Sequence, residues 1–207
     1  MDAYVRVNGL VAPLDRENVD TDQILPAVYL KRIERSGFGP FLFHSWRFLP
    51  DGSPDPRFEL NAPEYQDATI LVAGRNFGGG SSREAAPWAL EDHGFRTIIA
   101  PGFADIFFNN CLQNGMLPVV LSEERVRELI NRAQSQPGYR ATVDLETCTV
   151  SDEQGFRATF EIDPFRRHCL LNGLDDIGLT LQREEKVRAY EERRWTGLKV
   201  AARRGET

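Results

Sequence analysis

Between residues 69 and 133 the chain alternates three times between a short apolar run and a longer helical one, and that alternation leaves few folds open. The apolar run 69–73 leads to a helical pattern over 84–93. Thr97-Ile98-Ile99-Ala100 leads to a pattern over 104–113, stopped by Asn114-Gly115. Leu117-Pro118-Val119-Val120-Leu121 leads to a third over 123–133, with Ser122 at the N-cap position. Strand and helix in strict succession is the pattern of an α/β sheet whose strands cross over through helices. Ligands of such sheets sit beyond the carboxyl ends of the strands.

The flanks are built differently. Residues 5–14 read as a strand pair or bent strand broken at Asn8-Gly9. The polar stretch 15–24, with Asp15, Asp20 and Asp22, reads as a loop. It lacks the glycine and the closing glutamate of a calcium loop. Its carboxylates therefore serve local turns or orient a neighbouring site group. Residues 28–35 have helical spacing, Ser36-Gly37-Phe38-Gly39-Pro40 breaks it, and 41–48 is a second, aromatic helical run that belongs to a core. The Pro-, Asp- and Gly-rich stretch 49–64 is a surface loop. After Pro137-Gly138, residues 141–150 and 156–162 alternate as strands around a turn at 151–155. Pro164 opens a short helix over 165–171 that Asn172-Gly173 closes. A last helix runs from about residue 183 to 195, within a C-terminal helical tail over 183–207 where Glu184, Glu185, Glu191 and Glu192 interleave with arginines as on a solvated face.

At 207 residues the chain fits one large domain, and thirteen phenylalanines supply a sizeable core. The net charge of -6 disfavours a general nucleic-acid binder. No apolar run reaches the ~18 residues of a membrane helix, and the N-terminal residues lack a signal-peptide core. The expectation is a soluble cytoplasmic protein. Cys111, Cys148 and Cys169 are far apart and read as free thiols rather than a disulfide framework or metal site. His44, His93 and His168 share no ligand spacing.

The stretch between the first strand and helix of the alternating region carries the chemistry. Gly78-Gly79-Gly80-Ser81-Ser82-Arg83-Glu84 joins a strand end to a helix start, where free backbone amides and the positive end of the helix dipole suit an anion. Two hydroxyls and a guanidinium, whose planar fork matches a carboxylate or phosphate, sit at the same place. Known glycine motifs fail on a defining residue: a dinucleotide fingerprint meets Arg83 instead of its third glycine, a Walker loop has no lysine, and a nucleophile elbow around Ser81 again meets Arg83. Ser81-x-x-Glu84 has the form of a capping box. A helix starting there would place Pro87 in its interior at a cost of about 3 kcal/mol. A start near Arg83 or Glu84 avoids that cost and leaves both serines in the loop.

Three blocks, taken together, resemble one family. They are residues 18–26 (Asn-Val-Asp-Thr-Asp-Gln-Ile-Leu-Pro), residues 76–84 with Ala86-Pro87-Trp88-Ala89-Leu90, and residues 103–111 with Asn114-Gly115-Met116-Leu117-Pro118. In order and spacing they are similar to the small subunits of 3-isopropylmalate dehydratase, which correspond to the swivelling domain of the aconitase family. The likeness covers nearly the whole chain. The family commonly has cysteine where this chain has Gly79 and histidine where it has Ala85.

The resemblance implies an α/β fold, a single swivelling-type domain over residues 1–207 with a βαβαβ core, a β-hairpin region and a C-terminal helix. It implies one chain of a two-chain hydro-lyase of leucine biosynthesis that interconverts 2-isopropylmalate and 3-isopropylmalate. No cofactor is expected on this chain; the partner large subunit is expected to carry a 4Fe–4S cluster acting as a Lewis acid. By similarity, Ser81 is the base, Ser82 and Arg83 bind a substrate carboxylate, and Asp22 orients site groups. Lys31, with Tyr29 and Leu30, and the flexible segment 36–39 are expected at the site mouth, where they would read the isopropyl group. The partners expected are that large subunit and a small dicarboxylate, with no nucleic acid and no membrane. Rival readings are a small subunit acting on homoaconitate, citraconate or a methylmalate, a nucleotide-binding α/β protein, and a non-catalytic assembly protein.

Overall fold

The computed structural model of the protein describes residues 1–31 and 34–193. Among the described residues seven strands form one sheet, in the order β4 (Leu117–Val120), β3 (Thr97–Ala100), β2 (Ile70–Ala73), β1 (Arg6–Leu14), β5 (Arg140–Asp144), β6 (Thr149–Ser151) and β7 (Arg157–Thr159). The alternating region forms as its apolar runs and caps dictate: β2 (Ile70–Ala73), α3 (Ala85–His93), β3 (Thr97–Ala100), α4 (Asp105–Gln113), β4 (Leu117–Val120) and α5 (Glu123–Ser135). Ser122 caps α5 by accepting from the Arg125 amide. Strands β2, β3 and β4 are parallel, and β2 and β3 are buried on both faces, so apart from Thr97 their residues are apolar rather than alternating.

β1 (Arg6–Leu14) is one unbroken strand, not a pair or a strand broken at Asn8-Gly9. Its first half, residues 6–10, pairs antiparallel with β5 (Arg140–Asp144), and its second half, residues 11–14, pairs parallel with β2. Gly9 interrupts nothing; it lets the strand pass Thr69, whose hydroxyl oxygen would lie 1.8 Å from a Cβ there. The stretch 141–150, which alternates like one strand, is a hairpin: β5, a turn over 145–148, and β6 (Thr149–Ser151). The Asp144 carboxylate accepts from the Thr147 amide at 2.8 Å, Cys148 takes a positive φ of 51°, and Arg167 donates to the Leu145 and Glu146 carbonyls. Cys148 is therefore a turn residue. The turn at 151–155 does form, and β7 (Arg157–Thr159) follows it.

Shorter elements replace two expected helices. Residues 27–31 form a 3-10 turn, and Arg32 and Ile33 lie outside the described residues. The aromatic run 41–48 contains a four-residue helix, α2 (His44–Arg47), entered through Phe43 at a φ of 50°. Within the Asp-rich stretch read as loop, Asp20 caps α1 (Thr21–Ile24): its carboxylate accepts from the Gln23 amide, and the Gln23 side chain accepts from the Asp20 amide. Asp163 caps α6 (Pro164–Asn172), which ends on Gly173. α7 (Asp176–Leu181) buries no residue, residues 184–193 are helical, and the rest of the expected last helix lies outside the described residues.

The sheet separates two apolar cores. Ala12, Leu14, Leu71, Ala73, Ile98 and Ala100 face one, against Ala86, Ala89 and Leu90 of α3 and Phe107 and Cys111 of α4. Val11, Ile70, Val72, Ile99, Leu117 and Val119 face the other, against Val126, Leu129, Ile130 and Ala133 of α5. The i, i+3, i+4, i+7 spacing of that last set gives α5 one apolar stripe, each large side chain contributing about 1.5–3 kcal/mol on burial. Among the described residues, no helix is long and apolar enough to cross a membrane.

Candidate functional site

Three loops meet at the carboxyl ends of the parallel strands: the one after β1, the one after β2 and the one after β3. They carry, in order, the three sequence blocks. Residues 75–81 run between the other two like a short extra strand. On one side Asn18 donates its amide to the Arg75 carbonyl (2.9 Å), Gly78 to Val19 (2.7 Å) and Thr21 to Gly79 (2.9 Å). On the other, Phe77 donates to Gly102 (3.1 Å) and accepts from Ala104 (3.0 Å). Asn18 and Asn76 both take positive φ, 54° and 57°, a conformation asparagine tolerates, and their side-chain amides bond each other at 3.0 Å. The Thr21 hydroxyl donates to the Ser81 carbonyl at 2.9 Å, fixing the backbone that carries the serines.

Gly78 allows this approach. Its φ is 79°, and a Cβ would fall 2.1 Å from Cγ of Phe107 in the first turn of α4. Phe107 packs edge-on against Phe77 with centroids 5.4 Å apart. The loop after β3 thus sets the height of the glycine loop. Sequence reasoning missed Thr21 and Phe107; only their positions inside the first and third blocks signalled them.

α3 starts at Ala85, with Glu84 in the N-cap position and no side-chain cap. The capping box does not form, Pro87 is the third helical residue, and Ser81 and Ser82 stay in the loop. Both serines are exposed, and neither hydroxyl has a partner among the described residues. The amides of Gly80, Ser81 and Ser82 likewise donate to no described residue. Hydroxyls and amides are available together at one solvent-reaching place. A cavity of about 250 Å3 opens there, lined by Thr21, Gly78 and the 80–83 loop on one side and by Ala104, Asp105, Ile106 and Phe107 on the other.

Arg83 is on that wall with its side chain only 13% exposed, and its terminal nitrogens are taken by Asp22. Nη1 donates to Oδ1, Nη2 donates to Oδ2 at 2.7 Å, and Nη1 also reaches the Leu25 carbonyl at 3.4 Å. This hydrogen bonding from Arg83 holds the Asp22 carboxyl below the usual carboxylate range, with a smaller contribution from the Ala27 amide. The structure therefore brings Ser81, Ser82, Arg83 and Asp22 together. Lys31 is exposed at the end of its 3-10 turn and does not line the cavity. Nor is the whole 36–39 segment free: the Asp92 carboxylate accepts from the Phe38 amide at 2.8 Å, and Gly39 lies against the Asp92 backbone, at the far end of α3 from the serines. Just before it, Arg35 stacks on Trp88 and shares the Asn114 side-chain oxygen with the indole N–H.

The cysteines do not converge. Cys111 is buried in α4, Cys148 sits in the 145–148 turn, and Cys169 is buried in α6. Burial pushes the Cys111 thiol well above its ordinary pKa, away from the thiolate a metal needs. Among the described residues, no three of His, Cys, Asp and Glu are placed to share a metal ion. This donor set does not fit an iron–sulfur cluster.

Comparison with known proteins gives one consistent family. A model described as the aconitase C-terminal domain matches residues 1–124, the LeuD_N model matches 127–164, and one described as the C-terminal domain of the 3-isopropylmalate dehydratase small subunit matches 176–195. The chain is 61% identical over 194 residues to the 3-isopropylmalate dehydratase small subunit of Brevibacillus brevis, covering 94% of this chain and all of that one. It is 54% identical over 203 residues to the same-named subunit of Neisseria gonorrhoeae, covering 94% and 95%. The crystal structure of 3-isopropylmalate dehydratase from Methanocaldococcus jannaschii superposes with a TM-score of 0.65 at 22% identity, over 90% of this chain and 99% of that one, a likeness of fold.

Proposed function

This chain belongs to the 3-isopropylmalate dehydratase small-subunit family, and from that premise we propose that it supplies the base and the carboxylate-binding residues of a two-chain hydro-lyase of leucine biosynthesis. The reading extends to the whole chain working as one swivel-type domain, residues 183–207 as its helical tail, in the cytoplasm. The reaction interconverts 2-isopropylmalate and 3-isopropylmalate by loss and return of water. The observation that carries the proposal is the convergence of three loops that leaves the Ser81 and Ser82 hydroxyls without a partner among the described residues, beside Arg83 at the rim of an open cavity.

Removing water from a hydroxy acid requires a base for a weakly acidic C–H and cationic or dipolar anchors for two carboxylates. Ser81 is placed for the first role. A serine hydroxyl is a poor base unless its alkoxide is stabilised. The unpartnered amides of Gly80 and Ser82, together with the nearby N-terminus of α3, give developing negative charge a fixed set of dipoles to meet. Ser82 and Arg83 bind a carboxylate, and the apolar side chains of Ile106 and Phe107 close the opposite wall. Lys31 approaches a ligand only from outside this cavity, and its proposed role at the mouth depends on the partner. The 4Fe–4S cluster belongs to the large subunit, where it would supply Lewis acidity toward the departing hydroxyl; this chain's cysteines do not hold it.

Co-purification with a cluster-bearing large subunit, followed by a hydration assay, tests the reading. The reconstituted pair should turn over isopropylmalate, and homoaconitate, citraconate and methylmalates in the same panel measure selectivity. Arg83→Ala should lower kcat/KM by about 10³-fold, or roughly 4 kcal/mol of transition-state stabilisation, while the pair still assembles. Near-normal turnover by that variant would remove Arg83 from the site.

A further inference from the structure

An arginine already paired with a carboxylate looks spent, but a guanidinium has two bidentate edges. Five N–H bonds lie in one plane. The end-on edge is formed by one hydrogen each from Nη1 and Nη2, and Asp22 occupies both. The second Nη1 hydrogen lies on the Cδ side of the fork, and the Leu25 carbonyl accepts from Nη1. What remains is Nε–H with the second Nη2–H, a parallel side-on pair with no partner among the described residues. Arg83 lines the cavity, and Asp22, which faces its other edge, does not.

We propose that Asp22 is a positioning residue: it holds the end-on edge of Arg83 so that the side-on Nε/Nη2 edge serves as the carboxylate receptor, and it keeps that place while substrate is bound. The inference rests on the functional reading above and adds which edge of Arg83 meets the ligand. The alternative use of the same pair is displacement, in which Asp22 is a stand-in that a substrate carboxylate must evict. Geometry favours retention. α1 is capped by Asp20 and pinned to the glycine loop through Thr21, so both partners of the ion pair ride on one braced unit. Retention also gives the site its selectivity. The side-on edge rewards a ligand that can lay two oxygens along it.

The two uses predict opposite shifts in KM. The holoenzyme, reconstituted from this chain and its large subunit, is assayed with 2-isopropylmalate as wild type, Asp22→Asn and Asp22→Glu. Asparagine turns an NH2 toward one arginine nitrogen and breaks the fork. On retention, Asp22→Asn raises KM about tenfold or more with kcat within about threefold, because binding is lost equally in ground and transition states. Asp22→Glu, which keeps two oxygens, recovers part of the loss. Under displacement, Asp22→Asn lowers KM. A lowered or unchanged KM overturns the proposal, and so does loss of assembly in Asp22→Asn, which would assign the carboxylate to the subunit interface. Absence of turnover by the wild-type pair would instead overturn the functional reading itself, so the two failures are separate results.

Discussion

His93 shows how a side chain remote from the cavity adds to the acid sensitivity of the fold. It sits in the last turn of α3 against the Phe95 ring, with centroids 5.4 Å apart. Burial, helped by the nearby Arg47 guanidinium, pulls its pKa from 6.5 down to about 4. Arg47 has its own pKa lowered by burial, and its Nη1 is buried with no hydrogen-bond partner among the described residues, so a second cation beside it is disfavoured. The folded state keeps His93 neutral, whereas the unfolded chain protonates it near 6.5. The contribution is therefore complete above pH 6.5 and is lost as the pH falls from there to about 4, at up to about 1.4 kcal/mol per pH unit. Chemical denaturation across this window should show His93→Gln losing less stability on acidification than wild type; equal slopes would refute the assignment. At this scale the serines and Arg83 were legible because they are contiguous. The Asp22 partnership was not, since its two members are 61 residues apart and only the closed sheet brings them together.

At the scale of elements, the glycine loop stands on Phe107. Gly78→Ala meets two penalties at once, a left-handed backbone that disfavours any side chain and a methyl group forced into the Phe107 ring. About 3 kcal/mol of stability should be lost, read as a fall in the denaturation midpoint. Activity of the reconstituted pair should fall further than stability alone explains, because the 80–83 loop would be lifted. Wild-type stability in Gly78→Ala would show that the loop height is not set there. Helix and strand existence was readable wherever an apolar run met a cap or a glycine stop, as at Ser122 and Gly173. The hairpin inside 141–150 was not, because Ala141, Val143 and Leu145 keep the period of a single strand up to the turn. The reversal depends on Asp144 and on Arg167 from a later helix, which no local pattern contains. The two-partner strand β1 escaped for a related reason: Asn8-Gly9 has the composition of a turn, and only its neighbour Thr69 explains the glycine.

Across the whole molecule, β1 is the seam between the parallel and antiparallel halves of the sheet, with both apolar cores reaching it through Val11 on one side and Ala12 and Leu14 on the other. Its second half, paired with β2 and buried, should open only with global unfolding, whereas edge strand β7 and the 184–193 helix, which is exposed throughout, should exchange first. Native-state hydrogen exchange would test this ranking; early exchange at Ala12 or Leu14 would mean the two halves open independently. The family and the reaction class were legible from the three blocks as a set. The sheet supplies the reason: each block starts in the loop that leaves one of three adjacent parallel strands and runs into the helix after it, so residues scattered over some ninety positions are obliged to meet. The same seam has a cost during synthesis. Asn8 bonds Thr142, which leaves the ribosome 134 residues later, on the order of ten seconds behind it at ordinary elongation rates. For that interval residues 6–10 keep an open hydrogen-bonding edge, so the parallel half of the sheet emerges complete before its antiparallel half can close.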